Sequence, residues 1–177
     1  ISGADLTGVI SFRDIYDVNI MLDYCKNKKN AVVIGGGLLG LEAAYGLKQR
    51  GMNVTVLHLM DRIMERQLDS RASVMLRHSI EAIGISIITE ANTQELIGQE
   101  GHVSQIKLKD GTILDADLVV FAVGIRPNIT LSQSAGLRCN RGVMVNDTMQ
   151  TFDPSIYAVG ECIEHRNQTF GLVEPLW

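Results

Sequence analysis

The hydrophobic positions of the chain follow two periods, one typical of helices and one of buried strands. Apolar residues recur at helical spacing over residues 14–26, which predicts an amphipathic helix with these inward positions: Ile15, Val18, Met21, Leu22 and Cys25. The run Ala31–Ile34 is rich in β-branched residues and too short for a helix, and it leads into three glycines. Helical spacing then returns over residues 38–50. We therefore expect a strand, a glycine turn and a helix.

The same alternation continues further along the chain. Gly51 provides a stop for the helix, and Val54–His58 has the pattern of a second buried strand. Residues 69–83 predict another helix, followed by the strand Ile85–Ile88. The inward positions expected in that helix are Val74, Leu76, Ile80 and Ile83. Strands that alternate with helices favour a parallel sheet.

The pattern changes over residues 90–114, where short alternating runs are separated by turn signals at Glu100-Gly101 and Asp110-Gly111. This is typical of an antiparallel β-meander appended to the sheet. Leu118–Phe121 then returns to the core as a strand. The expected fold class is α/β, with a Rossmann-like parallel sheet and an antiparallel β-meander, as in the NAD(P)-binding domains of FAD/NAD(P)-binding folds.

Composition and charge exclude several classes of function. Apolar runs reach only a few residues, far below the roughly 20 that a membrane span needs. The net charge is -4 and the basic residues are scattered, so we expect no nucleic-acid partner and no membrane partner. The three cysteines are far apart, which argues against a disulfide framework and favours the cytoplasm. A start at Ile1 without a signal peptide suggests a piece of a longer polypeptide.

The glycine turn indicates a nucleotide. Gly35-x-Gly37-x-x-Gly40 lies between a predicted strand and a predicted helix, the context of a dinucleotide fingerprint. Gly35 permits the tight turn, Gly37 lets a pyrophosphate approach the backbone, and Gly40 allows close helix packing. Leu38 and Leu39 are the first residues of the predicted helix, and their free N–H groups could donate to the phosphates. A glycine loop kept for packing alone is the alternative. No Gly-Lys-Ser or Gly-Lys-Thr follows, which excludes a triphosphatase loop.

The position that would read the ribose leaves NADH and NADPH open. The second strand ends in His58, where an NAD-selective site usually has Asp or Glu. Asp61 could reach the ribose hydroxyls, whereas Arg62 and Arg66 could meet the 2′-phosphate of NADPH. All three could equally be solvated loop residues.

Three motifs then occur in one order along the chain: Gly35–Ala44, Ala122–Asn128 and Ile156–Cys162. Together they resemble the FAD-dependent pyridine nucleotide-disulphide oxidoreductases. Three further stretches are similar to one branch of that family, the large subunits of NAD(P)H-nitrite reductases. They are His58–Asp69, Gly160-Glu161-Cys162-x-x-His165 and the ending Gly171–Trp177.

The resemblance implies that hydride passes from NAD(P)H to FAD. Glu42 matches a family glutamate near the nicotinamide, although plain helix solvation would also explain it. Gly124 matches the position where the backbone passes beneath the dinucleotide, or it is an ordinary turn glycine. Gly160 and Glu161 match the second FAD motif, in which a carboxylate, more often that of Asp, accepts from flavin-side hydroxyls. No residue is assigned a catalytic role.

The resemblance also implies a domain division. Residues 1–29 would be a connecting segment and helix from the FAD domain, residues 30–145 the NAD(P)H-binding domain, and residues 146–177 a return into the FAD-binding domain. The family's N-terminal FAD fingerprint is absent from this chain, so we expect it not to hold FAD tightly by itself.

The route of the electrons follows from what the chain lacks. No paired thiols are present, so electrons should pass to downstream electron-accepting domains or to a small electron-transfer protein. In the resembled enzymes the acceptors are an iron–sulfur cluster and siroheme, both expected outside this chain because three scattered cysteines cannot ligate a cluster. Cys162-x-x-His165 is half a zinc site, and no metal is expected.

The expected function is therefore an NAD(P)H-binding module that serves the reduction of nitrite to ammonia in a longer protein. The alternatives are a ferredoxin or rubredoxin reductase and a non-catalytic NAD(P)-binding redox sensor.

Overall fold

The computed structural model describes residues 1–169; the ending Gly171–Trp177 lies outside them. The chain divides into two compact units, the first comprising Ile1–Val123 and the second beginning at Gly124. Residues 1–29, expected as a connecting segment and helix, contribute a strand and a helix to the first unit. The boundaries expected after residues 29 and 145 refer to the domains of a longer protein and stay a prediction.

The first unit contains a five-stranded parallel sheet in the order β1-β8-β2-β3-β4. This confirms the α/β class and the Rossmann-like sheet. Its elements are β1 Val9–Ser11, α1 Ile15–Asn27, β2 Asn30–Ile34, α2 Leu38–Gln49, β3 Asn53–Leu57, α3 Ser70–Ala82, β4 Ile85–Ile88, β5 Thr93–Gln99, β6 His102–Leu108, β7 Ile113–Asp115 and β8 Leu118–Phe121. The edge strand β1 was not expected.

The strands of the parallel sheet are apolar because both faces of the sheet are covered. Successive side chains of a strand point to opposite faces, so Ala31 and Val33 belong to one core cluster and Val32 and Ile34 to another. The first cluster also contains residues of the helices that cover this face, among them Met21, Ala43, Ala44 and Leu47. The sheet therefore needs a second cover on its other face.

That second cover is the meander. β5, β6 and β7 form an antiparallel sheet of their own, so the meander is confirmed, although it adds no strand to the parallel sheet. Its apolar residues share the second cluster with the parallel strands and bury that face: Leu96, Val103, Ile106 and Leu108. The result is a layer of helices, a parallel sheet and an antiparallel sheet.

The predicted helix α1 is confirmed to within one residue at each end, with one error in its inward face. Asp14 caps the helix, because its carboxylate accepts the N–H groups of Tyr16 and Asp17. Met21 is buried as expected, whereas Ile15 is 65% exposed. Ile15 is the first helical residue, next to the cap, and the core begins further along the helix.

Two inward positions predicted in α3 are also wrong. Val74 and Ile83 are exposed, whereas Leu76 and Ile80 pack against the core. The buried position is Ser73, whose hydroxyl donates to the Ile63 carbonyl at 2.8 Å. A hydrogen-bonded serine thus takes the place that the apolar pattern assigned to its neighbour. Ile83 follows the last helical residue as its C-cap.

The second unit is built around a short sheet in the order β11-β10-β9. Its described elements are α4 Thr130–Ser134, β9 Val143–Val145, β10 Ile163–His165 and β11 Gln168–Thr169. Glu164 is buried there and accepts from the Asn140 amide at 3.0 Å and from the N–H groups of Arg141 and Gly142 at 2.7 and 3.1 Å. The Asn140 bond, with smaller contributions from the backbone donors, holds the pKa of the Glu164 carboxyl below its usual value despite burial.

We expect Glu164→Gln to reduce the free energy of unfolding by about 2 kcal/mol at neutral pH, because it removes hydrogen bonds to a charged acceptor from buried donors. The folded-state pKa is lowered, so the native carboxylate stabilises the protein above the usual glutamate pKa. This stabilisation is lost as the pH falls through the lowered pKa.

The measurement is thermal unfolding from about pH 7 to about pH 3, together with hydrogen exchange at the Arg141 and Gly142 amides. The variant should show a smaller loss of stability on acidification than the native protein. An equal loss in both proteins would contradict the assignment.

Candidate functional site

The glycine turn after β2 is held against the ends of two neighbouring strands. Gly35 has φ +122°, a region that side-chain-bearing residues rarely adopt. Its N–H donates to the Leu57 carbonyl at the end of β3 at 2.8 Å. A Cβ at Gly35 would collide with the Ala122 carbonyl, just after β8. Both conformation and space therefore require glycine here.

Gly37 and Gly40 differ in what requires them. A Cβ at Gly40 would collide with the Gly35 carbonyl, so this glycine lets α2 pack closely on the turn. At Gly37 the backbone is extended (φ -85°, ψ -176°). Apart from its chain neighbours and its own helix, no atom of residues 1–169 lies within 4 Å of the place where a Cβ would stand. Neither conformation nor packing against the described residues requires glycine at position 37.

The N-terminus of α2 opens beside Gly37. Gly37 is its N-cap and has no side chain to accept from the first turn. The first N–H groups of a helix have no partner within the helix, and they carry the positive end of its dipole. Leu38 is exposed and Leu39 is half-buried. The turn thus presents uncapped donors next to open space, an arrangement suited to phosphate groups.

His58 contacts the turn directly. Its ring is buried, and its Nδ1 accepts the Gly36 N–H at 3.0 Å. Its Nε2 lies 3.1 Å from Glu65 Oε2. Because Nδ1 accepts a hydrogen bond, the ring hydrogen is on Nε2, which donates to the Glu65 carboxylate. The ring at the position that would read the ribose thus connects the glycine turn to a carboxylate, and its role in binding a cofactor stays a prediction.

The loop after β3 binds the carbonyl of the same glycine, Gly36. Met64, with φ +53°, donates its N–H to the Gly36 carbonyl at 3.0 Å. In the same loop Arg62 Nη1 lies 3.4 Å from Asp61 Oδ1. Arg62 Nε is buried without a hydrogen-bond partner within residues 1–169. Arg66 is exposed.

The remaining candidates lie apart from the turn or in the second unit. Glu42 is exposed on α2. Gly124 and Gly160 belong to the second unit and have φ +91° and +86°, and Glu161, which follows Gly160, is half-buried. The binding roles of all these residues stay predictions. The structure brings six candidates together at one end of the parallel sheet: Gly35, Gly37, Leu38, Leu39, Gly40 and His58.

Within residues 1–169, no group of three or more His, Cys, Asp or Glu side chains could hold a metal ion. No helix there is long and apolar enough to span a membrane. His165 Nε2 lies 2.7 Å from Asp147 Oδ1, and the Cys162 thiol donates to the Val159 carbonyl at 3.4 Å.

Comparison with known proteins decides the family. Residues 1–173 match the family described as pyridine nucleotide-disulphide oxidoreductase. The chain belongs to this family. The family implies the cofactors NAD(P)H and FAD, in agreement with the motifs.

Relatives of this oxidoreductase chain include nitrite reductases. The NAD(P)H nitrite reductase of Bacillus subtilis (strain 168) is 54% identical over 177 residues, which cover 100% of the chain and 22% of the relative. The large subunit of the NADH nitrite reductase of Escherichia coli (strain K12) is 40% identical, and the match covers 99% of the chain and 21% of that relative. The resemblance to nitrite reductase large subunits is confirmed. The chain spans about a fifth of the length of these relatives.

A solved structure shows the same fold. The ferredoxin reductase of Rhodopseudomonas palustris superimposes with a TM-score of 0.90 at 31% sequence identity. The match covers 93% of this chain and 41% of that one. The chain is therefore similar both to nitrite reductases and to a reductase that serves a ferredoxin.

Sequence reasoning missed two residues at the turn, Gly36 and Glu65. The run of three glycines offered a weak signal for Gly36. The structure gives the reason for this glycine, since a Cβ there would approach His58 and Ile63 at 2.9 Å. Nothing in the spacing of the loop distinguished Glu65 from its neighbours. Its contact with His58 arises only from the fold.

Gly40 and Gly37 differ in the space available for a side chain, and this difference predicts different effects of substitution. Gly40→Ala should reduce the free energy of unfolding by about 3 kcal/mol, because the new methyl group meets a backbone oxygen that cannot move away. Gly37→Ala, the matched control, should cost about 1 kcal/mol or less, since its Cβ stands in open space. Urea denaturation measures both. Equal losses would contradict the packing assigned to Gly40.

Proposed function

We propose that the chain is the NAD(P)H-binding module of a flavin-dependent oxidoreductase. The observation that carries this proposal is Gly37, a glycine that neither its backbone conformation nor its packing requires. A glycine in such a position is explained by a ligand that approaches the backbone closely. The uncapped N-terminus of α2 beside it supplies donors for that ligand's phosphates.

The residues of the turn would act as a rigid cradle for the pyrophosphate. Both backbone polar groups of Gly36 are hydrogen-bonded, the N–H to His58 and the carbonyl to Met64. The first N–H groups of α2, at Leu38 and Leu39, would donate to the phosphate oxygens. Glu42, exposed on the same helix, is proposed to lie near the nicotinamide. When bound, NAD(P)H supplies a hydride, and FAD accepts it.

The fit to FAD is less complete than the fit to the nicotinamide cofactor. Among the described residues, none but its chain neighbours lies within 4 Å of the place where a Gly160 side chain would stand. Glu161, the next residue, is half-buried. These two residues would contact flavin-side hydroxyls. Only one dinucleotide fingerprint occurs in the sequence, and the turn at Gly35 uses it. We propose that the rest of the FAD site belongs to other parts of a longer protein.

In that longer protein we propose that the electrons reduce nitrite to ammonia. The nitrite reductases similar to this chain over its whole length support this reaction. Cys25, Cys139 and Cys162 are too few and too far apart along the chain to supply the four thiolates of an iron–sulfur cluster. Siroheme and an iron–sulfur cluster would therefore be held outside this chain, in downstream electron-accepting domains. A cytoplasmic location stays a prediction from the cysteine content.

A second candidate is a reductase for a small electron-transfer protein. The superposition on the Rhodopseudomonas palustris ferredoxin reductase favours it, because that enzyme has the same fold over nearly the whole chain. Both candidates use the same turn and the same hydride transfer. They differ only in what accepts electrons from the flavin.

The turn is tested with Gly37→Val. Extended backbone accommodates a β-branched residue, so the variant should fold like the native protein. Its side chain would occupy the space proposed for the pyrophosphate. Titration of the 177-residue chain with NADH and with NADPH, followed by nucleotide fluorescence, should give saturable binding that the variant loses by at least about a hundredfold.

Circular dichroism provides the control for folding. If the native chain is folded and binds neither nucleotide, or if Gly37→Val binds as well as the native chain, the turn is not the site. A difference between NADH and NADPH would identify the preferred cofactor.

The reaction is tested in the longer polypeptide that carries this chain. We expect flavin absorbance, oxidation of NAD(P)H and consumption of nitrite at three nicotinamides per nitrite, since each hydride carries two electrons and ammonia formation takes six. Reduction of a ferredoxin or rubredoxin without loss of nitrite would favour the second candidate. Nucleotide binding without any flavin would favour a redox sensor and contradict both enzyme assignments.

A further inference from the structure

We propose that Glu65, held by His58, is the residue that accepts the ribose hydroxyls of the bound dinucleotide and so favours NADH over NADPH. This inference rests on the proposed function, because it assigns a role at the same turn. It replaces the direct role expected of His58 with a positioning role, and it gives the site an acidic residue that its strand end lacks.

The acceptor nitrogen of the His58 imidazole is already occupied. His58 follows the last residue of β3, where an acidic side chain would accept from a ribose hydroxyl. Its Nδ1 already accepts the Gly36 N–H at 3.0 Å, and its Nε2 donates to Glu65. A neutral imidazole has one acceptor nitrogen, and here it is used. His58 therefore has no lone pair left for a hydroxyl group.

The Glu65 carboxylate can accept the hydrogen bonds that His58 cannot. Glu65 receives one hydrogen bond from His58 at Oε2, and a carboxylate can accept several. Its side chain is 25% exposed, whereas that of His58 is 10% exposed, so the carboxylate extends further toward the surface than the ring. The bond from Met64 N–H to the Gly36 carbonyl fixes the loop beside the turn. The acidic side chain of this site is therefore Glu65, which His58 holds further toward the surface than the end of β3.

The charges of the loop after β3 affect the choice between NADH and NADPH. A carboxylate accepts from a ribose hydroxyl but repels the 2′-phosphate of NADPH. The two cations that could attract this phosphate are Arg62 and Arg66. Arg62 is paired with Asp61 at 3.4 Å, and Arg66 is exposed. Asp61, Arg62, Glu65 and Arg66 together carry no net charge, so the carboxylate held by His58 determines the preference.

The experiment compares three variants of the 177-residue chain by titration with NADH and NADPH. Glu65→Gln keeps the size of the side chain and removes its charge. His58→Asn keeps an oxygen close to the position of Nδ1, so it can still accept the Gly36 N–H, but it is too short to reach Glu65. Glu95→Gln is the matched control, because it neutralises a glutamate of β5 that pairs with Lys107.

The native chain should bind NADH more tightly than NADPH. Glu65→Gln should weaken NADH binding about tenfold, the scale of one hydrogen bond to a charged group, and leave NADPH binding unchanged or stronger. His58→Asn should still bind nucleotide but with a smaller preference for NADH over NADPH. Glu95→Gln should bind both nucleotides as the native chain does.

Three results would overturn the inference. The first is a native preference for NADPH, and the second is an NADH-to-NADPH ratio that Glu65→Gln leaves unchanged while binding persists. In both cases the turn still binds nucleotide and the proposed function stands. The third is a folded native chain that binds neither nucleotide, which would overturn the proposed function and this inference together.

Discussion

The close approach of α2 to the ends of β2 and β8 is the constraint on which the first unit depends. Gly40 lets the helix reach the Gly35 carbonyl, and Gly35 has no room for a side chain beside Ala122. Because these are contacts with backbone atoms, no change of rotamer can relieve them. They determine where the helix begins relative to the sheet, and therefore where its unpaired N–H groups are presented.

The strand order explains why the candidate site lies at this end of the sheet. β2 has β3 on one side and β8 on the other, so the connections that leave the carboxyl ends of β2 and β8 lead to different parts of the chain. In open α/β sheets, ligands bind outside the carboxyl ends of the strands at such a point. Gly35, His58 and Ala122 each follow one of these three strands. Burial of both sheet faces makes this framework rigid, which suits a turn that must hold its shape before a nucleotide arrives.

Much of the first unit could be predicted because its inner strands are continuous apolar runs and its glycines have specific steric demands. β1 could not be predicted, since three edge residues carry no periodicity. The exposure of Val74 could not be predicted either, because an apolar pattern does not reveal a serine buried by a hydrogen bond to Ile63. The contact between His58 and Glu65 follows no spacing rule and depends on the path of the loop.

The pairing of β1 with β8 has a consequence for synthesis on the ribosome. β1 precedes the other elements of the first unit along the chain, yet its only partner in the parallel sheet spans residues 118–121, and that partner also separates β1 from β2. The nascent chain must therefore carry β1 unpaired until nearly the whole first unit has been translated. Such late closure of a parallel sheet is slow and leaves strand edges open to other chains, which gives chaperones a defined interval in which to act.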